Sequence, residues 1–175
     1  MKKTLKEKLI KIVEKKQTKK DPSHDLQHIL RVLNLAEKIG KKEKADMDIL
    51  IPAALFHDIV VYRKDHPKSK NETDESAEIT SRILMNTRGY PKKKIEQVKI
   101  CIKQCSFTKG IVPGLLESKI LQDADLLEST GAISIMRTFS SGGQMNRSFY
   151  NQKNRWQKKM KLIFHPELAF FIAVY

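Results

Sequence analysis

The stretch Ala53-Ala54-Leu55-Phe56-His57-Asp58-Ile59 constrains this chain more than any other. It lies in an apolar run from Ile49 to Val61, too short to span a bilayer and about the length of a buried helix. A histidine and an aspartate stand side by side inside it. An unpaired buried carboxylate costs several kcal/mol, so a chain that keeps one in an apolar core must compensate it. A hydrogen-bonded His–Asp pair with a structural job would do so, and so would a divalent metal shared with the imidazole. The choice turns on whether other ligands exist.

The chain has room for such a core. Its 175 residues are one domain's worth, and 40% apolar with 31% charged residues is ordinary for a globular protein and too apolar for a disordered one. The lysine-rich amino terminus is followed by no uninterrupted apolar segment, so a cytoplasmic chain with no membrane partner is expected. Cys101 and Cys105, four apart on one helical face, are poorly placed for a disulfide and too few for a zinc site; they read as reduced, partly buried thiols.

A formal charge of +14 would suit an anionic partner such as a nucleotide, RNA or DNA. Against a nucleic-acid reader, 27 of the 34 basic residues are Lys and only 7 are Arg, the residue that bidentate recognition favours. The lysines are spread over Lys2–Lys20, Lys41–Lys44, Lys92–Lys94 and Lys153–Lys161, as solvated helix faces would be.

Taken in order, the pattern is helix after helix. Thr4 and Glu7 have capping-box spacing before Leu5, Leu9, Ile12 and Val13. After Asp21-Pro22-Ser23, a segment apolar on most sides runs from Leu26 to Ile39 and is expected to stop at Gly40, with His28 and Arg31 on one face. Asp46 is placed to cap a helix carrying His57 and Asp58, with Pro52 near its first turns. Tyr62 to Asn71 reads as a loop, and Thr73 as the cap of a helix running to about Asn86. Pro91 opens a helix striped by Ile95, Val98, Ile102 and Cys105; Gly110 to Gly114 is a turn; Leu115 to Leu127 is helical again. With few alternating strands and no repeat, the expected fold is an all-α single domain over residues 1–175.

The last helix holds a second costly group, Asp123-Ala124-Asp125 among Ile120, Leu121, Leu126 and Leu127. His28, His57-Asp58 and Asp125 thus come from three separate apolar helices, and helices projecting such groups inward are how an all-α fold builds a metal site. Two imidazoles and two carboxylates, with no thiolate, suit manganese, magnesium, iron, cobalt or nickel, and are compatible with zinc.

These residues sit in a longer pattern. Ser23-His24-Asp25-Leu26-Gln27-His28-Ile29-Leu30-Arg31-Val32, then Ala53–Ile59, Glu75-Ser76-Ala77, Ser106-Phe107, Leu121-Gln122-Asp123-Ala124-Asp125-Leu126-Leu127-Glu128 and Gly131-Ala132 together resemble the HD-domain superfamily of metal-dependent phosphohydrolases, over about Ser23 to Gly143 and in the right order. The resemblance implies a helical bundle of the HD type, with His28, His57, Asp58 and Asp125 as metal ligands and Asp123 as a supporting acid. HD proteins with two metals resemble this chain but add histidines where Glu72 and Cys105 stand here, so one divalent ion is expected. The tail beyond the motif-bearing core, residues 144–175, is unlike the helical ending of similar proteins; its basic Lys153–Lys161 and apolar Leu168–Tyr175 fit either a packed last helix or an altered terminus.

The chemistry follows. A divalent ion lowers the pKa of its water and polarises a phosphoryl oxygen, so hydrolysis of a phosphate ester or anhydride, in a nucleotide or similar small substrate, is the natural reaction. Arg31, Lys64, Lys103 and Lys109 are candidates to hold the phosphates, Arg31 being equally suited to partner a buried acid. Glu72 and Glu75 are candidates to orient or deprotonate water, or else complement a helix N-terminus. His24, one turn before His28, reads as a cap or a pocket-rim residue rather than a ligand. Two other functional classes fit the same residues: a nucleic-acid-binding protein or phosphodiesterase, and a helical regulatory module with a structural metal.

Overall fold

A computed structural model of the chain describes residues 1–16, 22–63 and 66–147. They form seven α-helices: α1 (Lys3–Lys16), α2 (Leu26–Lys42), α3 (Met47–Phe56), α4 (Glu72–Met85), α5 (Ile95–Gln104), α6 (Leu116–Glu128) and α7 (Gly131–Gln144). Short 3-10 turns at Pro22–His24, Pro67–Asn71, Lys92–Lys94 and Phe107–Lys109 link them, and no strand occurs among the described residues. The all-helical expectation is met. Lys64, Lys153–Lys161 and Leu168–Tyr175 lie outside the described residues.

The most apolar segment became the central helix. Every residue of α3 from Ile49 to Phe56 is buried, and the helix touches α1, α2, α4, α5 and α6. Asp46 caps it as expected, its side chain accepting from the Asp48 amide at 3.0 Å. Pro52 stands in the second turn, far enough in for its missing amide to leave a carbonyl free. The amide it lacks would have bonded the carbonyl of Asp48 four residues back, and the hydroxyl of buried Tyr90 donates to that carbonyl instead, at 2.8 Å. Helix α3 also ends one residue before His57, so the His-Asp pair lies at its C-terminal edge and not within it.

Three other boundaries differ from expectation for identifiable reasons. Helix α1 begins before Thr4, because the amides of Leu5 and Lys6 both reach the Lys2 carbonyl, so Thr4 is not its cap. Helix α2 runs through Gly40 to Lys42. A Cβ on Gly40 would meet Leu50 Cδ2 at 2.4 Å, so the glycine lets α2 approach α3 closely. The actual stop is Lys44, with φ of 57°, while the Ala45 amide bonds the Gly40 carbonyl at 2.9 Å in the wrap of a Schellman motif. Helix α4 starts at Glu72, one residue ahead of Thr73, whose hydroxyl instead accepts from Lys109 Nζ at 2.5 Å. The acids Glu72, Asp74 and Glu75 occupy its first turn, and Lys92 Nζ bonds the carbonyls of Leu84, Met85 and Thr87 just past its end.

Helices α2, α3 and α6 pack on one another, and α4 pairs with α5 across the other side of α3. Both cysteines are buried free thiols, as expected, and burial pushes that of Cys101 up to about 11. Helix α7 lies over the turn at Pro22–His24 and buries none of its residues. No helix among the described residues is long and apolar enough to cross a membrane.

Candidate metal centre

The mutual packing of α2, α3 and α6 brings four side chains to one point. His28 stands on the first turn of α2, where the Asp25 carboxylate caps the helix by accepting from the His28 amide at 2.8 Å. His57 and Asp58 arrive from the end of α3, and Asp125 from the last turn of α6. Asp58 Oδ2 is 3.4 Å from His28 Nε2 and 3.5 Å from His57 Nε2; Asp125 Oδ1 is 3.6 and 3.9 Å from the same two nitrogens. Ligand atoms from His28, His57 and Asp125 all fall within 4.8 Å of one another.

Each imidazole is oriented from behind. His57 Nδ1 sits 2.9 Å from the carbonyl of Ala54, and only a protonated nitrogen can bond a carbonyl, so in the neutral ring the Nε2 lone pair faces the centre. His28 Nδ1 faces Glu128 Oε2 at 2.9 Å, within ion-pair distance though off the hydrogen-bond line, and the anion there favours the same tautomer. Both Nε2 atoms are buried without a hydrogen-bond partner. Such orphaned acceptors are costly unless something electropositive meets them, and two imidazole nitrogens with two carboxylates are a donor set that a divalent cation fits.

The local charges pull together. Burial alone would push the Asp58 carboxyl up, but His57, with help from His28 and His24, brings it well below the usual carboxylate range. Burial works against protonation of His57 and the Arg137 charge adds to that, yet Asp58 and Asp125 together hold its pKa above the ordinary value. Both shifts have one cause, the closeness of the imidazoles to the two carboxylates.

The centre opens into a cleft of about 240 Å³, with Asp58 and Asp125 in its wall beside His24, Glu72, Thr73, Cys105, Ser129 and Arg137. Through Glu72, Thr73, Ser106 and Thr108 the cleft continues into a groove of about 560 Å³ that reaches Lys70 and Lys109. Through His24, Ser129 and Arg137 it continues the other way, into a hollow of about 440 Å³ under α7.

A model of the HD domain matches residues 25–130, which spans His28, His57, Asp58 and Asp125. The chain belongs to the HD-domain family. Among HD relatives, an uncharacterised Bacillus subtilis protein, YpgQ, is 32% identical over 140 residues, 78% of this chain; the match spans 65% of that protein's length. The crystal structure of YpgQ in complex with ADP superposes with a TM-score of 0.61 at 28% identity, covering 86% of this chain and 71% of that one. A predicted HD-superfamily hydrolase from an uncultured Thermotogales bacterium gives 0.59 at 30% identity, covering 84% and 79%. The fold is shared further still, by a Lactobacillus plantarum protein at 22% identity with a TM-score of 0.67, over 87% of this chain and 69% of that one.

The other residues singled out from sequence divide by position. Glu72 lines the cleft, its Oε1 accepting from the Tyr62 amide at 2.6 Å; Glu75 accepts from the Tyr62 hydroxyl at 2.8 Å and is not in the cleft wall. Lys109 borders the groove and bonds Thr73, whereas Lys103 faces Asp74 and Glu78 at 3.7 and 3.8 Å on the outside of the α4–α5 pair. Arg31 grips Glu128 Oε1 with Nε at 2.8 Å and Nη2 at 2.7 Å. His24 is a rim residue, while the capping duty next to it falls to Asp25. Glu72 and Cys105 share the cleft wall.

Two residues that sequence reading gave no role matter here. Glu128, 6% exposed, holds Arg31, Arg137 and His28 at once. Its signal was present: an acid one turn beyond Asp125 in an apolar helix is as costly to bury as Asp125 itself. Arg137 carried no such signal, because α7 has no buried face to mark which way its side chains point.

Proposed function

We propose that this HD-family chain is a metal-dependent phosphohydrolase that cleaves a phosphate ester or anhydride of a nucleotide. The observation that carries the reading is the convergence of two buried, unpartnered Nε2 atoms with two carboxylates at the floor of an open cleft. His28, His57, Asp58 and Asp125 would hold one divalent ion, which when bound supplies Lewis acidity towards a phosphoryl oxygen and a more acidic water. The complex of YpgQ with ADP supports a nucleotide as the substrate.

The chain's own residues do the rest. The backbone carbonyl of Ala54 and the carboxylate of Glu128 keep the two rings in the ligating tautomer. Glu72, in the cleft wall and tied to the Tyr62 amide, is the acid placed to take or orient the proton of an attacking water. Glu75 steadies Tyr62 and so that amide, one step removed from the cleft. Lys109, at the far end of the groove, would meet phosphates that extend past the site of cleavage.

The test is a panel of nucleoside mono-, di- and triphosphates, cyclic nucleotides and a generic phosphate ester, each assayed with manganese, magnesium, cobalt and nickel. Release of phosphate or pyrophosphate that requires added metal supports the reading. Asp58→Asn, which nearly preserves volume while removing a charge from the site, should lose more than the about 10- to 100-fold typical of disturbing an outer partner of a metal ligand, with the fold intact by circular dichroism. Turnover by Asp58→Asn at the wild-type rate and with unchanged metal dependence would refute it.

A further inference from the structure

The cleft has a charge problem that the metal ligands do not solve. Its wall contains three carboxylates, Asp58, Glu72 and Asp125, and a phosphate entering it brings further negative charge. Among the described residues that line it, one is a permanent cation: Arg137, from α7. This arginine also borders the adjoining hollow, so it stands at the passage between the two spaces. Its side chain is 16% exposed, fixed rather than free to roam.

What fixes it is a division of labour on Glu128. One oxygen of that carboxylate, Oε1, takes Arg31 through both Nε and Nη2; the other, Oε2, takes Arg137 Nη1 and faces His28 Nδ1. Arg137 Nε donates to the Ser23 carbonyl at 2.6 Å. With Nε and Nη1 engaged, Nη2 is the nitrogen of Arg137 left without a protein hydrogen bond among the described residues. Arg31, engaged by the same acid, does not line the cleft.

We propose that Arg137, aimed by Glu128 and the Ser23 carbonyl, is a substrate-binding residue that takes a phosphate oxygen of the nucleotide through Nη2. Arg137 thus ties α7 to Glu128 and the Ser23 carbonyl and at the same time brings a positive charge to the wall of an acidic cleft. A guanidinium held by two partners gives up little entropy on gripping a third, which makes it a better phosphate ligand than a mobile lysine. The inference rests on the nucleotide reading above, and it places the phosphate between the metal ligands and α7.

The test is calorimetric titration of ADP into manganese-loaded protein, with separate titration of manganese into metal-free protein and a melting curve for each variant. Arg137→Gln removes the charge and leaves a shorter, polar side chain with two N–H donors; Arg137→Ala removes the polar group as well. Both should bind ADP about 10- to 100-fold more weakly than wild type. Manganese affinity should stay within about threefold, because Arg31 still holds Glu128 in place. Arg137→Lys should recover only part of the ADP affinity, since a point charge cannot keep both anchors and the phosphate. ADP binding by Arg137→Gln at wild-type strength overturns the proposal, as does a loss of ADP binding that merely follows a matching loss of manganese. Wild-type protein that binds manganese but not ADP overturns the nucleotide reading and this inference with it.

Discussion

Some residues of this chain that look expendable by type are fixed by what lies against them. Gly40 is such a case: with Leu50 Cδ2 lying 2.4 Å from where a Cβ would be, Gly40→Ala must turn the Leu50 side chain out of its place in the core or push α2 off α3. Despite alanine's better helix propensity, the substitution should cost about 1–3 kcal/mol in urea or thermal unfolding. An unchanged or raised melting temperature would show that the contact relaxes freely. From sequence Gly40 looked like a helix stop, because a glycine ending an apolar run reads the same whether it turns the chain or admits a neighbour. Glu128 was quoted as the end of a motif and nothing more, since its partners Arg31 and Arg137 lie 97 residues before it and 9 after it. The grouping of His28, His57, Asp58 and Asp125 was legible because each is an ionisable group in or beside an apolar helix, a conflict visible without knowing any partner.

At the level of elements, α3 shows how one irregularity is balanced from a distance. Pro52 frees the Asp48 carbonyl in the first turn of α3, and Tyr90, just beyond α4, returns a donor to it. Tyr90→Phe keeps the ring in the core and removes only that donor, so it should destabilise by about 0.5–1.5 kcal/mol, the net worth of one part-buried hydrogen bond. If Pro52→Ala, which restores the helix amide, does not lessen the penalty of Tyr90→Phe in a double-mutant cycle, the two are not compensating each other. The apolar periodicity gave the helices themselves, since that pattern is local. It could not give this pairing, which spans 42 residues and two helices. The same limit explains the misplaced start of α4: Thr73 has the chemistry of a cap, but Lys109 claims its hydroxyl.

For the whole molecule, the centre joins α2, α3 and α6 at their shared contact, so a cation bound there should stabilise the folded chain by mass action. Saturating manganese should raise the melting temperature and a chelator should lower it, with the Asp58→Asn variant insensitive to both. A second electrostatic tie, away from the cleft, adds to the pH dependence of the fold. Lys94 bonds Asp48 at 2.8 Å and Asp46 at 2.9 Å. The Lys94 hydrogen bond holds the Asp48 carboxyl below its ordinary 3.8, so its stabilisation is present above that pH and fades as acid protonates the folded state. Asp46 and then Asp48 hold Lys94 above its ordinary 10.5, so its share is present below that pH and fades as base removes the proton. The gap in melting temperature between wild type and Asp48→Asn should therefore narrow as the pH drops below 3.8; a constant gap would exclude the ion pair as its cause. The two imidazoles of the centre differ in one further respect, which concerns how the site can change over generations. The tautomer of His57 is set by a main-chain carbonyl, which no substitution deletes, while that of His28 depends on one side chain, Glu128. In a saturation library sorted for metal retention, replacements at Ala54 should fail only when they are too large for the core. Those at Glu128 should fail by charge whatever their size, making the α2 half of the centre the half that heredity can tune or lose.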